Sequence, residues 1–150
     1  MKIVIDADAQ PCRKEIINLA KARGIKAVSV MSYAHHTAKE DGEEIINVES
    51  EPQAADIKIM NIAQPGDIAI TQDSALAYVL QGKGVITINS RGYLLDSDTA
   101  RGAMEAASKA KKSRRKKTGK IRIKGPHAFT DEDKNRLLTA VEKAITGSHI

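Results

Sequence analysis

Cysteine is almost missing from this chain of 150 residues: Cys12 stands alone. A single thiol cannot form an intramolecular disulfide or a cysteine-based zinc cluster, and this usage predicts a reducing compartment, the cytosol. Aromatic residues are also scarce, with no tryptophan, three tyrosines and one phenylalanine, Phe129. The core must then be built from Ile, Val, Leu, Ala and Met, and modules that stack RNA bases on aromatic platforms are disfavoured. No apolar run approaches the ~18 residues needed to cross a bilayer, and the first residues already read as a strand, so neither a membrane span nor an export leader is expected. With 41% hydrophobic and 29% charged residues, the chain has the profile of one folded unit with a single real core.

The most telling absence is local. Residues 106–130 contain ten Lys or Arg and neither Asp nor Glu. Removing those ten from the 24 basic residues leaves 14 against 19 acidic ones, so the rest of the chain carries −5 while the whole carries +5. An acidic body with a basic appendage predicts a polyanion partner or a solvated tail.

The first 95 residues alternate strand and helix signals. "KIVI" runs into Asp6, Pro11 suits a first helical turn, and Ile16, Ile17, Ala20 and Ala22 form a stripe stopped by Gly24. "KAVSVM" and "EIINV" read as the next strands, and Pro52 opens a helix, "QAADIKIMNIA", in which Ile57 and Met60 form the more apolar stripe and Asp56 sits at the margin of the buried face. "GDIAIT" is a strand, "SALAYVLQGKG" a helix with Ala75, Leu76, Val79 and Leu80 on one side, and "VITI" a fifth strand. Five short strands separated by helices predict an α/β three-layer sandwich with a mainly parallel five-stranded sheet over residues 1–95. Residues 96–150 read as a helical extension packed on the same domain, carrying the basic segment 109–124 and ending in a helix with a capping-box start at Thr130 and Asp133 and a stripe of Leu137, Leu138, Val141 and Ile145.

In a parallel sheet all carboxyl ends share one edge, and ligands bind in the crevice outside it. Asp6 ends the first strand and Asp73 follows the fourth, so both belong there. Asp8 joins them if the chain stays extended, because residues two apart point the same way. Asp56 joins them because a helix running back along the sheet starts at that edge. Asp67 precedes its strand and belongs at the opposite edge. Each Asp taken alone could equally cap a helix or close a turn. Several converging without basic neighbours would repel one another and have raised pKa values unless a divalent cation offset the charge. Oxygen-only ligands point to Mg²⁺ or Mn²⁺ and to phosphodiester chemistry.

Taken in order, "IVIDADAQP", "AADIKIMNIA", "GDIAITQDSALA", "NSRG" and "KGP" before an acidic helix start resemble the bacterial YaiI/YqxD family of uncharacterised proteins across nearly the whole chain. The resemblance implies a PIN-like fold, a superfamily with many metal-dependent ribonucleases, and assigns Asp6, Asp56 and Asp73 as the acidic catalytic positions, with Asp8 as a further metal ligand. The chain also departs from these patterns. The family usually has Cys where this chain has Gln10, PIN nucleases often carry a further acidic residue where Ala75 stands, and the acidic residue they commonly place on an early helix has no match.

The basic segment predicts salt-sensitive, weakly specific binding to RNA or another nucleic acid through Lys112, Arg114, Arg115, Lys116, Lys117, Lys120, Arg122 and Lys124, with Lys109 and Lys111 in the same run. Arg91, just after the fifth strand, could clamp a phosphate across the cleft or form a surface ion pair. His35 and His36 lie in a polar loop suited to proton transfer or to plain solvation. Ser74 has no base paired with it in sequence and reads as a cap. Three functions compete: a metal-dependent ribonuclease, a nonenzymatic nucleic-acid binder, and a haloacid-dehalogenase-like phosphatase, which also opens on DxD. The last lacks its later acidic motif, because Gly66-Asp67 comes before a strand and not after one.

Overall fold

The computed structural model describes residues 1–33, 38–51, 53–95 and 128–147, together with Gly102, Glu105, Ala106 and Lys109, which are helical. His35, His36 and the basic side chains from Lys111 to Lys124 lie outside the described residues.

In chain order the elements are β1 (Lys2–Asp6), a short 3-10 turn (Ala7–Ala9), α1 (Arg13–Ala22), β2 (Lys26–Ser32), β3 (Glu43–Val48), α2 (Ala54–Ile62), β4 (Ile68–Ile70), α3 (Ser74–Gly82), β5 (Ile86–Ile88), β6 (Leu94–Leu95) and α4 (Asp131–Thr146). The sheet has the order β3-β2-β1-β4-β5-β6, parallel throughout except for β6. The expectation of five strands is therefore corrected to six. β6 is two residues long, too short for a period-2 pattern, and it forms by a tight return: Asn89 N–H donates to the Tyr93 carbonyl at 2.9 Å, with Gly92 at φ +93° making the turn.

Period-2 alternation sends side chains to both faces, and helices cover each one. Ile3, Ile5, Ile68, Ile70 and Ile88 meet Ile16, Ile17 and Ala20 of α1 and Leu137, Val141 and Ala144 of α4. Val4, Val30 and Ala69 meet Ile59 and Ala63 beside α2, and Leu76 and Leu80 of α3. The last helix thus fills the same core as the first and does not stand apart from it.

Two helix faces differ in part from their expected orientation. Ile57 and Val79 are 51% and 49% exposed, and Ala75 is exposed too; Leu76 and Leu80 are buried as expected, with Ile59 and Ala77 buried as well. The apolar residues left outside turn out to flank the site described below.

α4 is held by its start. The Thr130 hydroxyl accepts from Asp133 N–H at 3.2 Å while Asp133 Oδ2 accepts from Thr130 N–H at 3.1 Å, the reciprocal capping box expected from sequence. Asp133 also takes Arg91 Nη1 at 2.7 Å and Arg136 Nη1 at 3.0 Å, and these donors hold its carboxyl down to about 2, the Thr130 N–H first among them. Gly92 is packed directly under α4, where a Cβ would overlap the backbone at Arg136 and Leu137.

Candidate functional site

Leaving β1, the chain builds β2 and β3 outward on one side, then returns to build β4, β5 and β6 on the other. The reversal falls between β1 and β4, and the crevice outside the carboxyl ends at such a point is where open α/β sheets take ligands. Asp6 is the last residue of β1, and Asp73 follows β4 at the N-cap of α3. They straddle the reversal.

Thr71 joins the two. Its hydroxyl donates to Asp6 Oδ2 at 2.9 Å and accepts from Asp73 N–H at 3.1 Å. Asp73 Oδ1 in turn accepts from Leu76 N–H at 3.0 Å, so this aspartate does cap α3. Capping does not remove it from the site, since a carboxylate has two oxygens and several lone pairs. Asp56, in the first turn of α2, brings its carboxyl into hydrogen-bond contact with Asp73.

The electrostatics follow from this convergence. Burial, the Asp73 charge, a hydrogen bond donated to Asp73 and the Asp6 charge raise the Asp56 carboxyl from 3.8 to about 6. Burial also raises Asp6; the Thr71 hydroxyl opposes this, and the charges of Asp8 and Asp73 reinforce it. Among the described residues, none of the groups acting on Asp6 or Asp56 is a cation. Asp56 and Asp73 line a cleft of about 260 Å³ whose other walls include Ile57, Met60, Ala75 and Val79.

Three expected aspartates are therefore brought together. Asp8 departs from its expected geometry: the chain leaves β1 in a 3-10 turn, not an extended strand, and both Asp8 oxygens accept from Ser32 N–H at 3.2 Å. Its charge still bears on Asp6, but its side chain is directed to the end of β2. Asp67 lies at the opposite edge, taking Lys2 N–H at 3.0 Å, Gln64 N–H at 2.9 Å and the Lys2 ammonium. Arg91 is drawn to Asp133 and over the Phe129 ring, 6.0 Å from its centroid. Cys12 is buried, which raises its thiol, and Gln10 Nε2 donates to its sulfur at 3.5 Å. Among the described residues, no three His, Cys, Asp or Glu side chains are gathered as a metal-holding group. Sequence reading missed Thr71 as the residue that orients both aspartates, although its i, i+2 spacing to Asp73 in "TQD" was visible.

The model of the uncharacterised YaiI/YqxD family matches residues 4–147. The chain belongs to this family. Among YaiI/YqxD relatives, a UPF0178 protein of Bacillus cereus is 39% identical over 138 residues, covering 91% of this chain and 92% of its own. One from Listeria welshimeri is 35% identical over 134 residues, with 89% and 88% covered, and one from Enterococcus faecalis is 32% identical over 150 residues, with 99% of each covered. No solved structure matches this YaiI/YqxD chain. Among its described residues no helix is long and apolar enough to cross a membrane.

Proposed function

We propose that this YaiI/YqxD protein is a PIN-like, metal-dependent ribonuclease, with Asp6, Asp56 and Asp73 at the reacting centre and Mg²⁺ or Mn²⁺ as cofactor. The observation that carries the reading is the Asp56–Asp73 pair, in hydrogen-bond contact beside Asp6 and lining one cleft at the sheet's reversal point, with no cation among the described residues acting on Asp6 or Asp56. Such an arrangement costs stability in the free protein and is relieved by a divalent cation.

The donor chemistry suits the ion. Magnesium is commonly held by one or two carboxylates, with waters and substrate phosphate completing its shell, so a third preassembled protein ligand is not required. When bound, the cation would polarise the phosphoryl oxygens and lower the pKa of an attacking water. Asp56 would give up its proton to solvent and hold the cation together with Asp73. The Asp73 cap and the Thr71 bridge fix both strand-end carboxylates before substrate arrives. The basic residues Lys112, Arg114, Arg115, Lys116, Lys117, Lys120, Arg122 and Lys124 are proposed to hold the RNA backbone. For Arg91 and Asp8 the proposed roles are secondary, since Asp133 and Ser32 already engage them.

The test is cleavage of a labelled single-stranded RNA in Mn²⁺ or Mg²⁺ by wild type and Asp73→Asn. Asparagine keeps the helix cap while removing the charge, so the expected result is at least a hundredfold loss of cleavage with RNA binding retained. Cleavage unaffected by the substitution removes the catalytic assignment. A second reading, a nonenzymatic nucleic-acid binder, is favoured by the lack of a gathered three-ligand metal group among the described residues. RNA binding with no cleavage in either metal selects it.

A further inference from the structure

The acidic cleft does not stop at Asp56. Gln53 and Ile57, at the start of α2, line it on one side, and the same two residues line a larger hollow of about 640 Å³ on the other. That hollow is walled by Tyr33 just past β2, by Asn47 and Glu49 at the end of β3, by Glu51, and by Lys58 and Asn61 of α2. Both hollows open at the carboxyl edge of the sheet, and the ridge between them is a single side of one helix. A strand whose phosphate lies at Asp56 and Asp73 reaches the second hollow by crossing Ile57.

The lining says what would sit there. Among the described lining residues Glu49 and Glu51 outnumber the cation Lys58, so a phosphate is repelled. A flat, uncharged group with N–H donors is favoured. Tyr33 is held at the rim by its own N–H, which donates to the Val48 carbonyl at 3.0 Å, and 53% of its surface is exposed. An exposed ring is a stacking partner for an unstacked base. Carboxylates accept from an exocyclic amino group, and the Asn47 and Asn61 amides offer both a donor and an acceptor. The volume lies within the range of small-ligand sites.

We propose that this hollow is the base subsite next to the scissile phosphate, taking an amino-bearing nucleobase (adenine, cytosine or guanine) stacked on Tyr33 and discriminating against uracil through Glu49 and Glu51. The inference rests on the reading of the acidic cleft as a site acting on RNA, and it adds a specificity determinant to it.

The test separates binding from chemistry. Fluorescence anisotropy of labelled oligo-A, oligo-C and oligo-U dodecamers is measured in EDTA with wild type, Tyr33→Ala, Tyr33→Phe and the double variant Glu49→Gln/Glu51→Gln; cleavage of the same oligomers is measured in Mn²⁺. Wild type is expected to favour oligo-A and oligo-C over oligo-U. Tyr33→Ala should weaken oligo-A binding about tenfold, the scale of one lost stacking contact. Tyr33→Phe should retain it, which sets stacking apart from a folding defect, and the double variant should narrow the A-to-U ratio towards one. Equal affinity for all three oligomers, or a preference that neither Tyr33→Ala nor the double variant moves, overturns the subsite. A preference that behaves as expected with no cleavage in Mn²⁺ supports the subsite and overturns the nuclease reading alone.

Discussion

Replacing Asp56 by asparagine should make the protein more stable at neutral and alkaline pH while abolishing metal-dependent activity. Asp56 is half-buried against Asp73, and its carboxyl is raised from 3.8 to about 6. The sign follows from linkage: the folded state binds a proton more tightly than the unfolded one, so stability from this group is present below the unfolded pKa and is lost as pH rises through about 6. A full shift of that size corresponds to about 3 kcal/mol, and solvent screening of a half-buried group reduces it to ~1 kcal/mol. Asparagine keeps a hydrogen-bond donor facing Asp73 without the charge. Thermal and urea unfolding of wild type and Asp56→Asn, followed by circular dichroism at pH 5 and pH 8, should show the variant gaining ~0.5 kcal/mol more at pH 8 than at pH 5, because about half of the effect is already present at pH 5, or roughly 1–2 °C in melting temperature for a chain of this size. Millimolar Mn²⁺ should raise the melting temperature of wild type and leave the variant unmoved. A variant that is less stable than wild type at pH 8, or whose effect is the same at both pH values, refutes the idea that like charges strain the pair.

Other perturbations test the frame around the site. Gly92→Ala forces a Cβ into the backbone of α4 at a residue with φ +93°, so it should cost about 3 kcal/mol or prevent folding, read as lost soluble yield or an early melt. Arg91→Ala leaves the buried Asp133 carboxylate with one guanidinium fewer, and should destabilise by about 2 kcal/mol without altering the salt dependence of RNA binding; a flattened salt slope would instead make Arg91 a phosphate contact. Because Asp133 is held down to about 2, its contribution is present above the ordinary carboxylate range and disappears as pH falls towards 2, so hydrogen exchange in α4 should accelerate at acid pH before that of β1. Neutralising Arg114, Arg115, Lys116 and Lys117 together should weaken single-stranded RNA binding and reduce its salt slope by about 3, at about 0.7 per charge removed; unchanged affinity assigns that run to solvation.

Much of this architecture was legible because its signals are local. Short β-branched runs alternating with helical stripes marked the parallel strands, and Thr130 with Asp133 marked the start of α4. The edge to which Asp6 and Asp73 belong followed from strand direction alone. What stayed hidden depends on tertiary geometry. β6 has two residues, and its only cue was the turn "NSRG". The 3-10 turn after β1 rotates Asp8 away, and nothing in "DADA" distinguishes that turn from a continued strand. The buried faces of α2 and α3 were legible only in part: Leu76 and Leu80 are buried as their apolarity implied, whereas Ile57, Ala75 and Val79 beside the site face outward.

That error bears on function. A helix that leaves a large aliphatic side chain half exposed gives up part of the roughly 1.5–3 kcal/mol that full burial of such a side chain contributes. Ile57 and Val79 are such positions on two different helices, and both flank the cleft that holds Asp56 and Asp73. The same few residues thus combine two unfavourable features, like charge with no cation acting on it among the described residues, and exposed aliphatic surface. Under the proposed function both features would be relieved by a metal-bound nucleotide, its cation on the carboxylates and its sugar or base over Ile57 and Val79. Changing Ile57 and Val79 to serine should accordingly leave folding stability within about 0.5 kcal/mol of wild type, as for surface positions. It should weaken binding of single-stranded RNA while a duplex of equal charge is held as before. Equal weakening of both would mean that these side chains contribute to the fold, and the cleft would lose its claim on an unstacked nucleotide.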